Sequence, residues 1–210
     1  MLTLYYAPNT ASLAPHIALE QAGADYRLER VDFEAAQQRS PDYLAVNPKG
    51  RVPSLVTDRG VLTETPAILL YLAQRYPGAD MAPLDDPFEL AQVQAFNVFL
   101  CSTVHVAHAH KHRGTRWSGS HRQRGARGDD AQRAADDDAA FELIERTMIG
   151  EPWACGEQFG IADMYLFTMT RWLASDKVEL ARFPKVAAHC ERMASVPAVQ
   201  RVMPHHPPRD

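Results

Sequence analysis

The strongest constraint on this chain is a change of rhythm about eighty residues in. Up to Pro77-Gly78, short apolar runs alternate with helical stripes; beyond Pro87 every periodic segment is helical. Leu2 to Tyr6 is an apolar, aromatic run stopped by Pro8 and Asn9, and reads as a buried strand. Ser12 stands where a helix N-cap would. After it, Leu13, Ile17, Ala18 and Leu19 form an apolar face that ends at Gly23. Tyr26 to Val31 alternates like a strand. Ser40-Pro41 opens a short helix with its proline in the first turn, where the missing N–H costs nothing. Asn47-Pro48-Lys49-Gly50 is a loop, and Val52–Thr57 and Val61–Thr63 flank Asp58-Arg59-Gly60 as a hairpin. Thr65-Pro66 starts a third helix, capped by Thr65, with Ile68, Leu69, Leu72 and Ala73 on one face. The expected order is β-α-β-α-β-β-α.

Ala82 to Pro87 reads as a linker. Helices are expected over Phe88 to about His112, Asp129–Ile149, Ile161–Leu173 and Pro184–Ser195. The glycine- and arginine-rich stretch 113–128 is expected to be a mobile loop. His205 to Asp210 has little to pack and is expected to be loose. The fold class is therefore α/β plus all-α. A small α/β domain spans residues 1–78, a linker 79–87, an all-helical domain 88–203 and a tail 204–210. A chain of 210 residues is long enough for two such cores.

A net charge of −4 gives no reason to expect nucleic acid or an anionic membrane as partner. No uninterrupted apolar run approaches the ~20 residues of a membrane span. The start lacks the basic residues and long apolar stretch of a secretory signal. Cys101, Cys155 and Cys190 are odd in number and widely spaced, which argues against a disulfide framework and for a reducing cytoplasm.

Three features of the first domain converge on one chemistry. The first is Val52-Pro53. A cis peptide there costs only ~0.5–1 kcal/mol, and it turns the N–H and C=O of Val52 outward to pair with an extended peptide; a trans proline would merely start a strand. The second is Glu64-Thr65. A helix N-terminus binds a carboxylate and an adjacent acid binds an ammonium, which together suit an amino-acid head. The third is the turn Pro8–Ser12, where hydroxyls of Thr10 and Ser12, with Tyr6 upstream, can hydrogen-bond a sulfur and favour its thiolate. Lowering a thiol pKa of ~8.5 by about two units takes roughly 2.7 kcal/mol.

The segments YYAPNTASLAPHIALEQAG, NPKGRVPSLV, LTETPAILLYLAQRYP and WACGEQFGIADMYLFTMTRW resemble, in their order and spacing, the glutathione transferase superfamily, and the bacterial beta class in particular. The resemblance implies a thioredoxin-like first domain, a helical second domain and a homodimer. It implies that Val52, before a cis Pro53, pairs with the cysteinyl backbone of glutathione, that Glu64 and Thr65 hold its γ-glutamyl head, and that Lys49 lies near its glycine carboxylate. His105 matches a helix histidine that faces the sulfur, and Asp163 a buried aspartate that organises the second domain.

Three departures from the family pattern stand out. Ala11 occupies the position of the usual beta-class cysteine, Gly160 that of a Ser or Thr helix cap, and Val106 that of a basic residue in some members. Thr10, Ser12 and Tyr6 are then the hydroxyl candidates, Thr10 and Ser12 ahead of Tyr6, with His105 as an acid or base. His105, His108 and His112 share a helix face, but no carboxylate or cysteine completes a metal set, so no metal is expected. Trp153 and Trp172 read as core residues. The expected activity is transfer of glutathione, as co-substrate, to a small hydrophobic electrophile; the alternative is a non-catalytic binding protein of the same fold.

Overall fold

The computed structural model describes residues 1–113 and 138–207, with the side chains of 110–113 excepted. The loop expected over 113–128, the helix start at Asp129 and His112 of the histidine series therefore lie wholly or largely outside the described residues. The first domain runs β1 (Leu2–Tyr6), α1 (Leu13–Gln21), β2 (Tyr26–Arg30), α2 (Pro41–Val46), β3 (Ser54–Thr57), β4 (Gly60–Thr63) and α3 (Thr65–Arg75). The sheet order is β2-β1-β3-β4, with β1 parallel to β2 and the other pairs antiparallel. Leu4 of β1 sits between Leu28 and Leu55, so the alternation read from the sequence sets the register that buries it.

Residues Leu13 to Leu19 of α1 are all buried. A helix apolar on every side must be covered on every side, and α1 packs against α3 and against two helices of the second domain, Ile161–Thr170 and Pro197–Val202. Its start differs from expectation. Ser12 has helical dihedrals and its side chain caps nothing, being spent inside the preceding turn. Thr65 is likewise the first residue of α3 rather than its cap; the capping position falls on Glu64.

The second domain begins with α4 (Pro87–Phe99), capped by Asp86, which continues through a wider π-helical stretch, Leu100–Val104, into α5 (His105–Arg113). By length and composition the stretch Pro87–Ala109 is long and apolar enough to cross a membrane. No uninterrupted apolar run marks it in the sequence, because Glu89, Gln92, Gln94 and Asn97 break it up. Val93, Phe96 and Leu100 of this helix are buried, and α4 packs against α7. Then follow α6 (the described residues 138–148), α7 (Ile161–Thr170), α8 (Pro184–Ala194) and α9 (Pro197–Val202). All ten residues of α7 are buried. α9, not expected from the sequence, packs on α1.

Asp163 organises α7. Its Oδ1 accepts from Ala154 N (2.7 Å) and lies 2.9 Å from His189 Nε2, while its Oδ2 accepts from Gly160 N (2.7 Å). Gly160 has a second reason to lack a side chain. A Cβ there would stand 2.5 Å from the Met81 carbonyl oxygen. That carbonyl accepts from Ile161 N at 2.9 Å, so the linker backbone takes one of the helix's first donors. The linker is thus anchored, with Met81 and Ala82 buried.

The tail differs from expectation too. His206 is fully buried, and a hydrogen-bond chain runs from it into the first domain. Tyr26 OH donates to Glu20 Oε1 (2.5 Å), so it accepts from His16 Nε2 (3.0 Å); His16 Nδ1 is then left to accept from His206 Nε2 (3.1 Å). Both rings are neutral in this arrangement. Burial, then the neighbouring His205, lowers His16 to about 4; burial, then His16, lowers His206 to about 3. The unfolded chain takes up these protons near pH 6.5 and the folded chain does not, so stability should fall as pH drops below about 6.5, by of order 3 kcal/mol per proton once pH passes the folded values. Thermal melts between pH 7 and 5 should show the decline, and His206→Gln should flatten it. A wild-type melting temperature constant over that range would contradict this.

Candidate functional site

Four loops and two helices enclose a cleft between the domains with a volume of about 230 Å³. Its floor is the loop before β3. The Val52-Pro53 peptide is cis, and Val52 lines the cleft with neither its N–H nor its C=O paired within the protein among the described residues. The loop is held from below. The Arg51 carbonyl accepts from Tyr43 OH (2.6 Å) and Asn47 Nδ2 (2.8 Å), and Ser54 Oγ lies 3.1 Å from the same phenol. Asn47 and Ser54 are buried, so this polar knot fixes the backbone that presents Val52. Sequence reading missed Tyr43, Asn47 and Ser54 as its supports; only the asparagine of the Asn47–Gly50 loop carried a signal.

At one end stands the start of α3. Glu64 has φ 73°, a left-handed conformation costly for a residue with a side chain (of order 1–3 kcal/mol) and concentrated at functional sites. The N–H groups of Thr65 and Ala67 precede the first intrahelical bond, from Ile68 N to Glu64 O (3.0 Å). Unpaired N–H groups at a positive helix end thus stand beside an acidic side chain. Lys49 is not at the far end. Its Nζ binds Glu64 Oε1 (2.5 Å) and Thr63 Oγ1 (2.7 Å). Both partners are largely exposed, and such a pair is worth only about 0–1 kcal/mol, so a ligand ammonium can displace it.

The turn Asn9–Ser12 forms the opposite side. Thr10 lines the cleft and Ser12 does not, being wholly buried. Thr10 Oγ1 donates to the Ala7 carbonyl (2.8 Å) and lies 2.7 Å from Ser12 Oγ, which is itself 3.1 Å from that carbonyl. Two hydroxyls thus share one acceptor. Either proton satisfies it, so Thr10 can turn its own outward while Ser12 serves Ala7. Tyr6 is buried against His16 and His206 and does not line the cleft, as its strand position suggested. Ala11 does line it, beside Thr10.

The turn is clamped by the second domain, which sequence reading did not foresee. Asn9 has φ 53°. Its carbonyl accepts from Trp172 Nε1 (3.2 Å), its Oδ1 from Arg171 Nη2 (3.2 Å), and its Nδ2 donates to the Pro207 carbonyl. Trp172 is thus buried, as read, but also a cleft residue. The helical wall carries Cys101, His105, Val106, His108 and Tyr165. His105 Nδ1 lies 3.3 Å from Tyr165 OH. Burial holds the Tyr165 phenol well above its usual range and raises the Cys101 thiol, so both stay protonated. Among the described residues no three His, Cys, Asp or Glu side chains are grouped to hold a metal. The arrangement suits an extended peptide with an amino-acid head at Glu64-Thr65 and a sulfur at Thr10.

Residues 1–74 match the family described as Glutathione S-transferase, N-terminal domain, and residues 138–192 match its C-terminal domain. Glutathione S-transferase GstA of Escherichia coli O157:H7 is 33% identical over 95% of this chain and 96% of its own length. A glutathione transferase homologue from Sulfitobacter, crystallised with bound glutathione, is 42% identical, with a TM-score of 0.92 over 97% of each chain. The beta-class glutathione S-transferase of Sphingomonas chungbukensis is 32% identical, with a TM-score of 0.83 over 96% of this chain and 97% of that one.

Proposed function

The chain belongs to the glutathione S-transferase family, and from that premise we propose that it binds glutathione along Val52, ionises its thiol beside Thr10 and transfers it to a small, largely hydrophobic electrophile. The observation that carries this reading is the backbone of Val52, which lines the cleft beside a cis proline, has no hydrogen-bond partner among the described residues, and shares the cleft with an acid-flanked helix start and a hydroxyl turn. The cysteinyl N–H and C=O pair with Val52 beside Pro53. The γ-glutamyl carboxylate sits on the N–H groups of Thr65 and Ala67, and its ammonium displaces Lys49 from Glu64. Lys49, once released from Glu64, swings toward the glycine carboxylate. Thr10 donates to the sulfur, whose proton leaves to solvent, and His105 lines the electrophile's side. No metal enters the reaction. Free thiols at Cys101, Cys155 and Cys190 fit a reducing cytoplasm. A homodimer would cover the exposed Val61, Phe88 and Val98; sedimentation equilibrium tests this, and a monomer at micromolar concentration would contradict it.

Glu64→Ala should weaken glutathione binding at least about tenfold by calorimetry, the loss of one charge-assisted hydrogen bond. Unchanged affinity would sink the assignment of the head group. Ala11→Cys places a thiol where the beta class has one, and incubation with oxidised glutathione should then yield a mixed disulfide visible by mass spectrometry. No adduct would mean that the sulfur lies elsewhere. A second reading, a non-catalytic binding protein, is favoured by Ala11 and by the engagement of both turn hydroxyls within the protein. It predicts glutathione binding without thiol ionisation.

A further inference from the structure

The helical wall holds a pair of groups that thiol activation does not use. His108, one turn beyond His105 on α5, has its Nδ1 2.6 Å from Asp176 Oδ2. The Asp176 side chain is 3% exposed and that of His108 17%, with the ring forming part of the cleft wall. The ring stacks on Trp172, centroids 4.2 Å apart and planes 22° from parallel. The same indole donates to the Asn9 carbonyl, next to Thr10. His108 thus stands one aromatic ring away from the turn where the sulfur would lie. A carboxylate at Nδ1 fixes the ring and the proton on that nitrogen, so the basic lone pair of the neutral ring belongs to Nε2, the logic by which a buried acid orients a catalytic histidine.

We propose that His108, positioned by Asp176, is the proton donor that completes addition of glutathione to electrophiles whose double bond is conjugated to a carbonyl. The inference rests on the glutathione-transfer reading above. In this step the thiolate forms the C–S bond at the β-carbon, and the C=C electrons move onto the carbonyl oxygen as an enolate. His108 gives a proton from Nε2 to the enolate and regains one from solvent. The thiol's own proton was released to solvent on ionisation, so the sum is one S–H added across one double bond. Imidazole is the side chain that gives and takes protons near neutral pH. Aromatic substitution, in which chloride departs, needs no such proton.

The test compares rates with cyclohexenone, an enone, and chlorodinitrobenzene, which loses chloride, for the wild type, His108→Gln and Asp176→Asn. Removing a wall residue lowers both rates; a proton role lowers their ratio. The enone-to-chlorodinitrobenzene kcat ratio should fall ~10²-fold in His108→Gln and in the same direction in Asp176→Asn. The wild-type solvent isotope effect on the enone reaction should change in the variants. Equal losses with both substrates, or none, would overturn the proton role while leaving glutathione transfer intact. Turnover of neither substrate by the wild type would contradict both readings.

Discussion

Asp163→Ala should cost the fold about 3–5 kcal/mol, a large share of the 5–15 kcal/mol that holds a domain folded. The carboxylate is 1% exposed and serves three donors, two backbone N–H groups and His189. Alanine leaves all three buried, with Ala154 N and Gly160 N stripped of their acceptor, and each such orphan costs about 1–3 kcal/mol. Asp163→Asn should be nearly as harmful, because an amide offers one acceptor oxygen where two are used. Denaturant unfolding checks both; a loss under 1 kcal/mol would show that water or a shifted chain replaces the carboxylate. Because α7 also carries Tyr165 and leads into Arg171 and Trp172, partial loosening should lower glutathione affinity before the chain unfolds.

Thr10→Val should lower kcat roughly 10²-fold while leaving glutathione affinity within about threefold, since the hydroxyl acts on the sulfur and not on the head group. Valine keeps the shape and removes the donor. Ser12→Ala should be milder. Without Ser12, the Thr10 proton is the only one left to the Ala7 carbonyl among the described residues, so turning it toward sulfur orphans that acceptor, at about 1 kcal/mol or several-fold in rate. Single-turnover rates with chlorodinitrobenzene separate the two. Equal and negligible losses would remove both hydroxyls and leave His105 or a backbone N–H as the group facing the sulfur.

The first domain is legible in the sequence because its signals are local. Leu2–Tyr6 before Pro8-Asn9, Ser40-Pro41, and the Asp58-Arg59-Gly60 hairpin each specify their own geometry, and all seven elements follow in the order read. The head-group end of the cleft is legible for the same reason, Glu64-Thr65-Pro66 being contiguous. What depends on distant chain is not. The Asn9 clamp joins residues more than 160 positions apart, and the burial of His206 needs His16 and Tyr26, which no pattern within 204–210 announces. The short α9 escapes because six residues carry too little periodicity to stand out. Ser12 and Thr65 mislead for a related reason. They are good caps by type, but Ser12 is spent within a hydroxyl-shared turn and Thr65 begins a helix one residue after a left-handed Glu64.

The most direct test is the thiolate absorbance of glutathione bound to this chain, titrated against pH for the wild type and Thr10→Val. The free thiol titrates near 8.5, and the wild-type complex should titrate about two units lower, with Thr10→Val returning most of the way. A wild-type complex that titrates like free glutathione would contradict thiol activation at this turn.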